Sequence, residues 1–454
     1  MNQRFNNIQL VYCPHNMGKL SYEGKIQIQP PLGILTIATY LKQRNEKIEI
    51  EVIDGKRLTL DQIISRIDSE LVGFTVEYSN YNNTLQVIKR IKQLNPKITV
   101  LLGGAYTSFM YQRILANNQE IDFIICGEGE LSFADFIAGE PYENIYGLCY
   151  RRNHDLIFNV EKKEINGLDC LPVPDLNLLF PKYSWNSSPE SHSMSAFPFA
   201  GVRGCNRKIR CEYCSLSLSN YRTVSPEKYW SDINSLYRLY GINYFFETGD
   251  ILSPGYIKNL AEYHDHEKVA FRIYSYPGNF TAAHMPYLKS VGVKTIFMGI
   301  ESVVVWKENL QRKYKVGYSK SSLFDEINML HDNGMKVIPS FILGLTNEDP
   351  QTLSENVDLI LSIANLEAVD ELTVSLLLAL PGSHYFKRCL VNTKIKDAYQ
   401  SITQTNLTLE DEIDLKLLSR LFLNEFTKVG YDGIKESYQI IESVVGNRIA
   451  SWNN

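Results

Sequence analysis

The sequence predicts an α/β protein with two successive sheets, the first doubly wound and Rossmann-like, the second a partial (β/α)6 barrel, followed by a small helical region. Three observations support this prediction. Apolar runs alternate with helical spacing over residues 1–141, a proline-rich and polar stretch interrupts them at 142–197, and a second alternation covers 198–397. The last stretch, 398–454, shows helical spacing alone. We therefore place domain boundaries at these junctions.

The first series contains five apolar runs of strand length, separated by four stretches with helical spacing. The predicted strands are Ile8–Tyr12, Ile48–Ile53, Leu71–Val76, Ile98–Leu102 and Phe123–Cys126. The predicted helices are Leu32–Gln43, Leu60–Asp68, Asn82–Leu94 and Phe109–Asn117. Such alternation produces a parallel sheet with helices on both faces. Ligands of such sheets bind at the carboxyl ends of the strands, so the residues that follow each strand are candidate contacts.

Glycines and small polar residues occupy that edge of the first sheet. They are Thr75 and Ser79 after the third strand, Gly103 and Gly104 after the fourth, and Gly127 and Glu128 after the fifth. Glycine permits close approach of the backbone to a ligand, and a hydroxyl can donate a hydrogen bond. The same glycines can equally serve only as tight strand–helix turns, and the sequence leaves both interpretations open.

The second series contains six predicted strands and the helices between them. The strands are Ala200–Arg203, Tyr244–Thr248, Ala270–Tyr274, Thr295–Gly299, Lys336–Leu343 and Glu371–Leu378. Clear helical spacing covers Pro226–Tyr240, Ser321–Asn333 and Thr352–Asn365. Six strand–helix units in one sheet indicate a partial barrel with its chemistry at the carboxyl ends of the strands.

Composition excludes several classes of function. The net charge is -5 and no long run of one sign occurs, which gives no electrostatic reason to bind nucleic acid or an anionic membrane. The amino terminus lacks the pattern of a secretory signal, and no apolar run is long enough to cross a membrane. We therefore expect a cytoplasmic protein with neither nucleic acid nor membrane as a partner.

Three of the eight cysteines, Cys205, Cys211 and Cys214, fall within ten residues, directly after the first strand of the second series. The other five are scattered, and we interpret them as buried apolar side chains. Three thiolates on one loop can hold a four-iron four-sulfur cluster and leave one iron open. The alternative is a structural zinc ion, but that needs four ligands, and no histidine follows until His264.

The segment Gly201–Cys214 resembles the signature loop of radical S-adenosylmethionine (radical SAM) enzymes. Tyr213 matches the aromatic residue that usually precedes the last cysteine and contacts the adenine. The resemblance implies that the three cysteines are catalytic as ligands of a 4Fe-4S cluster. One departure is the gap of five residues between the first two cysteines, where the commonest spacing in the family is three.

Further segments match this family in the same order along the chain. They are Phe246–Asp250, Met298–Ser302, Ser340–Glu348 and Leu380–Ser383. Each match alone is more often a turn at a strand end, whereas the ordered set is specific. The resemblance implies that S-adenosylmethionine contacts the following residues in these segments. They are Glu247, Thr248, Glu301, Ser340 and Gly344.

The first domain resembles the amino-terminal domain of cobalamin-binding radical SAM enzymes. The matching segments are Pro30–Leu35, Leu102–Ala105 and Cys126–Glu130. The resemblance implies that six edge residues named above contact cobalamin. They are Thr75, Ser79, Gly103, Gly104, Gly127 and Glu128. Some relatives keep this domain without the cofactor, so its presence stays a prediction.

His15 is a possible cobalt ligand. Cys13–Gly18 resembles the Asp-x-His-x-x-Gly loop of other cobalamin proteins, in which the histidine binds cobalt. Cysteine stands here in place of the aspartate, and a ligating imidazole normally needs a second hydrogen-bond partner. A polar histidine placed in the loop by chance is the favoured interpretation.

The resemblance implies a cobalamin-dependent C-methyltransferase. Such an enzyme reductively cleaves S-adenosylmethionine and methylates an unactivated carbon of a natural-product or peptide substrate. Its expected partners are that substrate and an electron donor such as flavodoxin or ferredoxin. The alternative is rearrangement, cyclisation, ring contraction or epimerisation without methyl transfer. A non-catalytic cobalamin or redox sensor is disfavoured because the tail shows no DNA-binding pattern.

Overall fold

The computed structural model contains two compact units, each built on a mainly parallel sheet. The structure describes residues 4–15, 29–153, 155–159, 161, 163–182, 196–207, 211–215, 220–263, 269–307, 319–409 and 412–449. The first unit holds the described residues up to 182, and the second holds those from 196 onward. No helix among the described residues is long and apolar enough to cross a membrane.

The first unit is an eight-stranded sheet with five α-helices. The strands are β1 (Asn7–Tyr12), β2 (Glu49–Asp54), β3 (Leu71–Thr75), β4 (Thr99–Gly103), β5 (Phe123–Ile125), β6 (Leu148–Arg152), β7 (Asp155–Phe158) and β8 (Leu179–Phe180). The helices are α1 (Leu32–Arg44), α2 (Leu60–Arg66), α3 (Tyr81–Leu94), α4 (Ala105–Asn117) and α5 (Gly129–Ala138). The strand order is β7-β6-β5-β4-β3-β1-β2-β8, in which β6 pairs antiparallel with both of its neighbours.

This order confirms the doubly wound fold and locates its switch point between β1 and β3. The strands are apolar throughout because both faces of a parallel sheet are covered. The predicted linker, 142–197, is wrong in one respect, since β6, β7 and β8 from that stretch extend the sheet at both edges. An uncovered strand edge leaves backbone groups unpaired, and these added strands satisfy them. Residues 183–195 of the predicted linker lie outside the described part of the chain.

The second unit contains a six-stranded parallel sheet and ten helices among the described residues. Its strands are β9 (Phe197–Phe199), β10 (Val202–Arg203), β11 (Arg222–Thr223), β12 (Tyr244–Glu247), β13 (Ala270–Ser275), β14 (Val293–Glu301), β15 (Lys336–Leu343) and β16 (Thr373–Leu376). Its helices are α6 (Pro226–Tyr240), α7 (Pro254–Glu262), α8 (Met285–Val291), α9 (Val303–Lys307), α10 (Lys320–Asp332), α11 (Pro350–Ala364), α12 (His384–Val391), α13 (Thr393–Thr403), α14 (Leu415–Phe426) and α15 (Gly430–Val445).

The strand order β16-β15-β14-β13-β12-β9 confirms the partial barrel. Side chains alternate between its two faces. On the helix side, the rings of Phe245 and Phe271 stack 5.7 Å apart. On the opposite face, Tyr274 lies 4.9 Å from Phe246 and 5.3 Å from Phe297, measured between ring centroids. This aromatic face lies below the carboxyl edge of the sheet.

Two predicted positions in the second unit are corrected. The first barrel strand is Phe197–Phe199, not Ala200–Arg203, because the chain turns at Gly201 and pairs β10 with β11 instead. The predicted boundary between 397 and 398 falls inside α13, which packs on α12 and α14. A boundary within a packed helix would break its hydrogen bonds, so the helical region begins earlier than predicted.

Candidate active site

The three clustered cysteines lie at the carboxyl edge of the second sheet, in the loop that follows β9 and β10. Cys205, Cys211 and Cys214 are partly exposed. The amide of Cys214 donates to the carbonyl of Cys211 at 3.0 Å, so one tight turn carries these two thiols. Residues 208–210 of the loop lie outside the described part of the chain.

The scattered cysteines differ from this set. Four of them are buried, as expected for small apolar side chains, whereas Cys170 is exposed, contrary to our interpretation. Cys170 occupies the short 3-10 turn Leu168–Cys170, where a side chain can point to solvent. Sequence clustering, rather than exposure, therefore separates the three loop cysteines from the other five.

An arginine lies against the cysteine loop. Nη1 of Arg207 donates to Sγ of Cys211 at 3.1 Å, and its guanidinium carbon lies 4.1 Å from the ring centroid of Tyr276. Burial acts to lower the pKa of Arg207, but the negative charges available at Cys211 and Tyr213 raise it overall. The loop therefore carries its own cation beside a thiol, an arrangement that favours the thiolate.

Glu247 ends β12 and holds the start of this loop. The amide of Gly201 donates to both carboxylate oxygens, at 2.9 and 3.0 Å, and the amide of Gly249 donates to Oε1 at 3.1 Å. The side chain is fully buried, and burial raises its pKa to about 8 against the opposing effect of these amide donors. Backbone donors thus engage the carboxylate and fix the loop, and the contact between Glu247 and S-adenosylmethionine stays a prediction.

Thr248 also serves the loop. Its amide and its hydroxyl both donate to the carbonyl of Phe199, at 2.7 and 3.1 Å. These bonds fasten the end of β12 to the end of β9. The hydroxyl is therefore engaged within the protein, and Thr248 as a contact of S-adenosylmethionine stays a prediction.

Glu301 and Ser340 lie at neighbouring positions on β14 and β15. Glu301 has φ of +69°, which is uncommon for a residue other than glycine, and the β14–β15 register shifts between Gly299 and Glu301. Ser340 pairs with Gly299 and is half-buried. The irregular strand end places Glu301 near the mouth of the same face as Ser340.

Gly344 follows β15 and has φ of +96°. A Cβ atom there would collide with Cδ2 of Leu423, a residue of α14. Packing between strand end and helix thus accounts for this glycine. Its expected contact with S-adenosylmethionine stays a prediction.

The sequence analysis missed a buried polar network behind these strand ends. Oε2 of Glu348 accepts from the amide of Gly344, and its Oε1 accepts from Nδ2 of Asn356, both at 2.5 Å. The same Nδ2 also donates to Oγ of Ser302 at 2.8 Å. Burial raises the pKa of Glu348 to about 7. The sequence feature that could have revealed this network is Asn356, a polar residue at a core-facing position of α11.

In the first unit, the predicted glycines are explained largely by close packing. Gly104 has φ of +105°, and a Cβ there would lie 2.7 Å from the carbonyl oxygen of Val76. The amide of Val76 donates to the carbonyl of Gly103 at 2.8 Å. The structure thus brings the ends of β3 and β4, including Thr75, into direct contact.

The end of the fifth strand, β5, is likewise fixed by contacts within the protein. Gly127 has φ of +92°, and its amide donates to Oγ of Ser108 at 2.9 Å. Oε2 of Glu128 accepts from the amide of Ile165 at 2.9 Å, which holds the segment that returns toward β8. The carboxylate of Glu128 therefore has a role within the fold, and its contact with cobalamin stays a prediction.

His15 and Ser79 bridge the switch point between β1 and β3. Nδ1 of His15 lies 2.6 Å from Oγ of Ser79, and Nε2 lies 2.9 Å from the hydroxyl of Tyr12. Burial lowers the pKa of His15, against the opposing charge of Glu77. Both ring nitrogens are engaged, so binding to cobalt would require one of these bonds to break. Gly18, which completes the resembling loop, lies outside the described residues.

Two family models match the chain. The B12 binding domain matches residues 27–137, and the Radical SAM superfamily matches residues 201–360. The chain therefore contains a B12-binding domain followed by a radical SAM domain. Its cofactors are S-adenosylmethionine with a 4Fe-4S cluster in the second domain and cobalamin in the first.

Individual proteins are similar to this radical SAM enzyme over long stretches. An uncharacterized methyltransferase of Pyrococcus horikoshii is 24% identical over 80% of this chain and 79% of its own. An anaerobic magnesium-protoporphyrin IX monomethyl ester cyclase of Synechocystis is 25% identical over 48% of this chain and 44% of its own. The solved radical SAM methyltransferase TsrM from Kitasatospora setae has a TM-score of 0.64 at 15% identity, over 85% of this chain and 75% of its own. That likeness confirms the fold.

The residues of this radical SAM enzyme fit the cluster. Among the described residues, no three Cys, His, Asp or Glu side chains converge as ligands of a single metal ion. A four-iron cluster instead takes each thiolate on a different iron, and the loop offers three partly exposed thiols with a cation beside one of them.

Proposed function

We propose that the enzyme methylates an unactivated carbon of a natural-product or peptide substrate. The observation that carries this proposal is the presence, in one chain, of a three-cysteine loop at the edge of a half-barrel and a B12-binding domain. A role of cobalamin as methyl donor would explain why the chain contains a B12-binding domain as well as the three-cysteine loop. The similarity to a methyltransferase of Pyrococcus horikoshii over 80% of this chain supports the same conclusion.

When bound, the cluster and S-adenosylmethionine supply radical chemistry at carbon, and cobalamin supplies the methyl group. We assign Cys205, Cys211 and Cys214 as ligands of three irons. Tyr213, between two of these ligands, contacts the adenine. Glu247 keeps the start of the loop in place through its two backbone donors.

The barrel mouth has a separate role in binding. Glu301 and Ser340 offer a carboxylate and a hydroxyl to S-adenosylmethionine from adjacent strands. The aromatic face of Phe246, Tyr274 and Phe297 lies below them and excludes water from the reacting carbon. A dry site protects a reactive carbon centre from side reactions.

The carboxyl edge of the first sheet binds cobalamin in this proposal. Thr75 and Ser79 offer hydroxyls from the β3 side, and the backbone of Gly103, Gly104 and Gly127, together with Glu128, contacts the ligand. Binding at the switch point is the general rule for open parallel sheets. An external one-electron donor, such as flavodoxin or ferredoxin, reduces the cluster.

The second candidate function is radical rearrangement or cyclisation without methyl transfer. The similarity to an anaerobic magnesium-protoporphyrin IX monomethyl ester cyclase favours it. Ring contraction and epimerisation belong to the same class, because none of them adds mass from a methyl donor. The two candidates therefore differ in a quantity that mass spectrometry measures directly.

The first test is metal content and visible spectrum after purification and reconstitution without oxygen. We expect about four irons and one cobalamin per chain. The loaded enzyme is then incubated with a reductant, S-adenosylmethionine labelled in its methyl group, and peptide and small-molecule libraries. Methylation predicts transfer of the label, with one S-adenosylhomocysteine and one 5'-deoxyadenosine per product. Deoxyadenosine without S-adenosylhomocysteine, or iron without cobalamin, would instead support the second candidate.

A further inference from the structure

Arg207 occupies the unusual five-residue gap between Cys205 and Cys211. Its Nη1 reaches Sγ of Cys211 at 3.1 Å. The guanidinium also stacks on Tyr276, which directly follows β13, with 4.1 Å between the guanidinium carbon and the ring centroid. One side chain therefore joins the cysteine loop to the edge of the barrel.

Arg207 has a further donor close to this contact. Its Nε is buried and has no hydrogen-bond partner within the described ranges. The guanidinium thus has one buried donor, Nε, in addition to the Nη1 donor that contacts Cys211.

Stacking on an aromatic ring fixes the plane of the guanidinium. A fixed plane holds the donors in constant directions relative to the loop, which a flexible lysine ammonium would not do. The longer gap needs such a device, because a loop with two extra residues has more conformations to lose on ordering. Arg207 thereby couples the position of Cys211 to the sheet.

We propose that Arg207 is a positioning residue that holds Cys211 and raises the reduction potential of the cluster. This inference rests on the proposed role of the three cysteines as cluster ligands. Reduction adds one electron from the external donor, and no bond to Arg207 forms or breaks. A nearby cation stabilises the more negative, reduced state more than the oxidised one, and hydrogen bonds to the sulfurs act in the same direction.

The test is the midpoint potential of the reconstituted cluster, followed by electron paramagnetic resonance during reductive titration with dithionite. Arg207→Met keeps an unbranched side chain on Tyr276 but removes the charge and the donors. We expect the equilibrium constant for reduction to fall about tenfold, a shift of about 59 mV to lower potential for one electron. Arg207→Lys restores the charge without the planar stack and should recover part of the shift. Tyr276→Leu should shift the potential less, in the same direction.

Arg238→Met is the matched control, since it removes an exposed arginine from α6. Full iron content with an unchanged potential in Arg207→Met would overturn the inference and leave the cluster assignment intact. Absence of iron from the wild-type enzyme and from all variants would overturn the cluster assignment itself. If Arg207→Met alone loses iron, the midpoint potential is measured in Arg207→Gln instead, which keeps a neutral hydrogen-bond donor. A potential below that of wild type supports the inference, and an equal one contradicts it.

Discussion

The carboxyl edges of the two sheets stabilise their buried carboxylates differently. At the first edge, Asp54 is fully buried and has Nζ of Lys56 3.8 Å from its Oδ2. At the second edge, Glu247 and Glu348 are also fully buried, but no described cation forms an ion pair with either. Their donors are uncharged amides, of the backbone and of Asn356, and burial raises the pKa of both. A carboxylate without a counter-charge can hold a loop, but its charge then depends on pH.

The edges also differ in how they fix their loops. At the second edge a fully buried carboxylate accepts from the amide of a distant loop, as between Glu247 and Gly201. The first edge uses glycine turns in direct contact, as at Gly104 against Val76. Loss of a carboxylate should therefore damage the second edge most, and an added methyl group should damage the first. The predictions below test this contrast in order of expected effect.

The largest effect is expected from the cysteine loop, which gives the second edge its chemistry. Cys205→Ala, Cys211→Ala and Cys214→Ala should each abolish cluster absorption and deoxyadenosine formation, because each removes a ligand to one iron. Iron analysis and product quantification provide the measurement. Cys170→Ala, at an exposed cysteine of the first unit, is the control and should behave as wild type. A Cys205→Ala variant that kept both signals would show that another residue supplies the third ligand.

Glu247→Ala should destabilise the second unit and lower its iron content. Each backbone amide that loses its buried acceptor costs about 1–3 kcal/mol. Guanidinium denaturation together with iron analysis measures both effects. Glu262→Ala removes an exposed carboxylate of α7 and should change stability by no more than about 1 kcal/mol. Equal stability of Glu247→Ala and Glu262→Ala would contradict the role of Glu247 in holding the loop.

Gly104→Ala tests the glycine rule at the first edge. The backbone there, with φ of +105°, costs a residue other than glycine about 1–3 kcal/mol, and the new Cβ meets Val76. We expect lower stability and lower cobalamin content. Gly167→Ala is the control, because its φ of -124° suits any residue and open space surrounds its Cβ position. If Gly104→Ala took up as much cobalamin as the wild type, Gly104 would not be part of the cofactor site.

The uncompensated carboxylates predict a pH dependence. Both pKa values lie above the ordinary 4.5, at about 8 for Glu247 and about 7 for Glu348, so the folded state binds more protons than the unfolded state. The stabilisation is fully present below pH 4.5 and is lost as pH rises through the folded-state values. Each group contributes a slope of about 1.4 kcal/mol per pH unit in its window.

Denaturation of the wild type and of the two variants Glu247→Gln and Glu348→Gln across this pH range measures the slope. Each glutamine variant should lose the slope of its own window, because it cannot titrate. The Glu348 window ends about one unit lower than the Glu247 window. Identical slopes in wild type and variants would show that these carboxylates are charged throughout.

The smallest effect is expected at His15. Both ring nitrogens are hydrogen-bonded, to Tyr12 and Ser79, so we expect the cobalt spectrum to stay unchanged in His15→Ala. Visible absorption and electron paramagnetic resonance of the cobalamin-loaded protein measure this. A changed cobalt signal would establish ligation and would show that the ring leaves Tyr12 or Ser79 when cobalamin binds.

Much of the fold followed from periodicity in the sequence. The five strands predicted for the first series and the helix Pro226–Tyr240 match the structure closely, because buried strands and amphipathic helices have distinct spacing. The short strands β6, β7 and β8 were missed, since they lie among prolines and polar residues. The first barrel strand was placed three residues late, because the apolar run continues into Gly201 and beyond.

The candidate site was predictable where spacing carries chemistry and unpredictable where burial decides it. Three cysteines within ten residues indicate a cluster whatever surrounds them. A glutamate at a strand end, by contrast, looks the same whether it faces a ligand or the protein interior. Glu247 illustrates the difficulty, since its amide donor at Gly201 is 46 residues away in sequence.

The sequence by itself determined the order of the two sheets and the loops at their carboxyl edges, because local apolar spacing fixes strands and helices and their alternation fixes a parallel sheet. The spacing of the three cysteines also identified them as candidate ligands of a cluster. Only the tertiary structure decided which polar groups at those edges are occupied within the protein. Burial and hydrogen bonding of Glu247, Asn356 and His15 depend on segments far apart in the chain, which meet only when the sheets have formed.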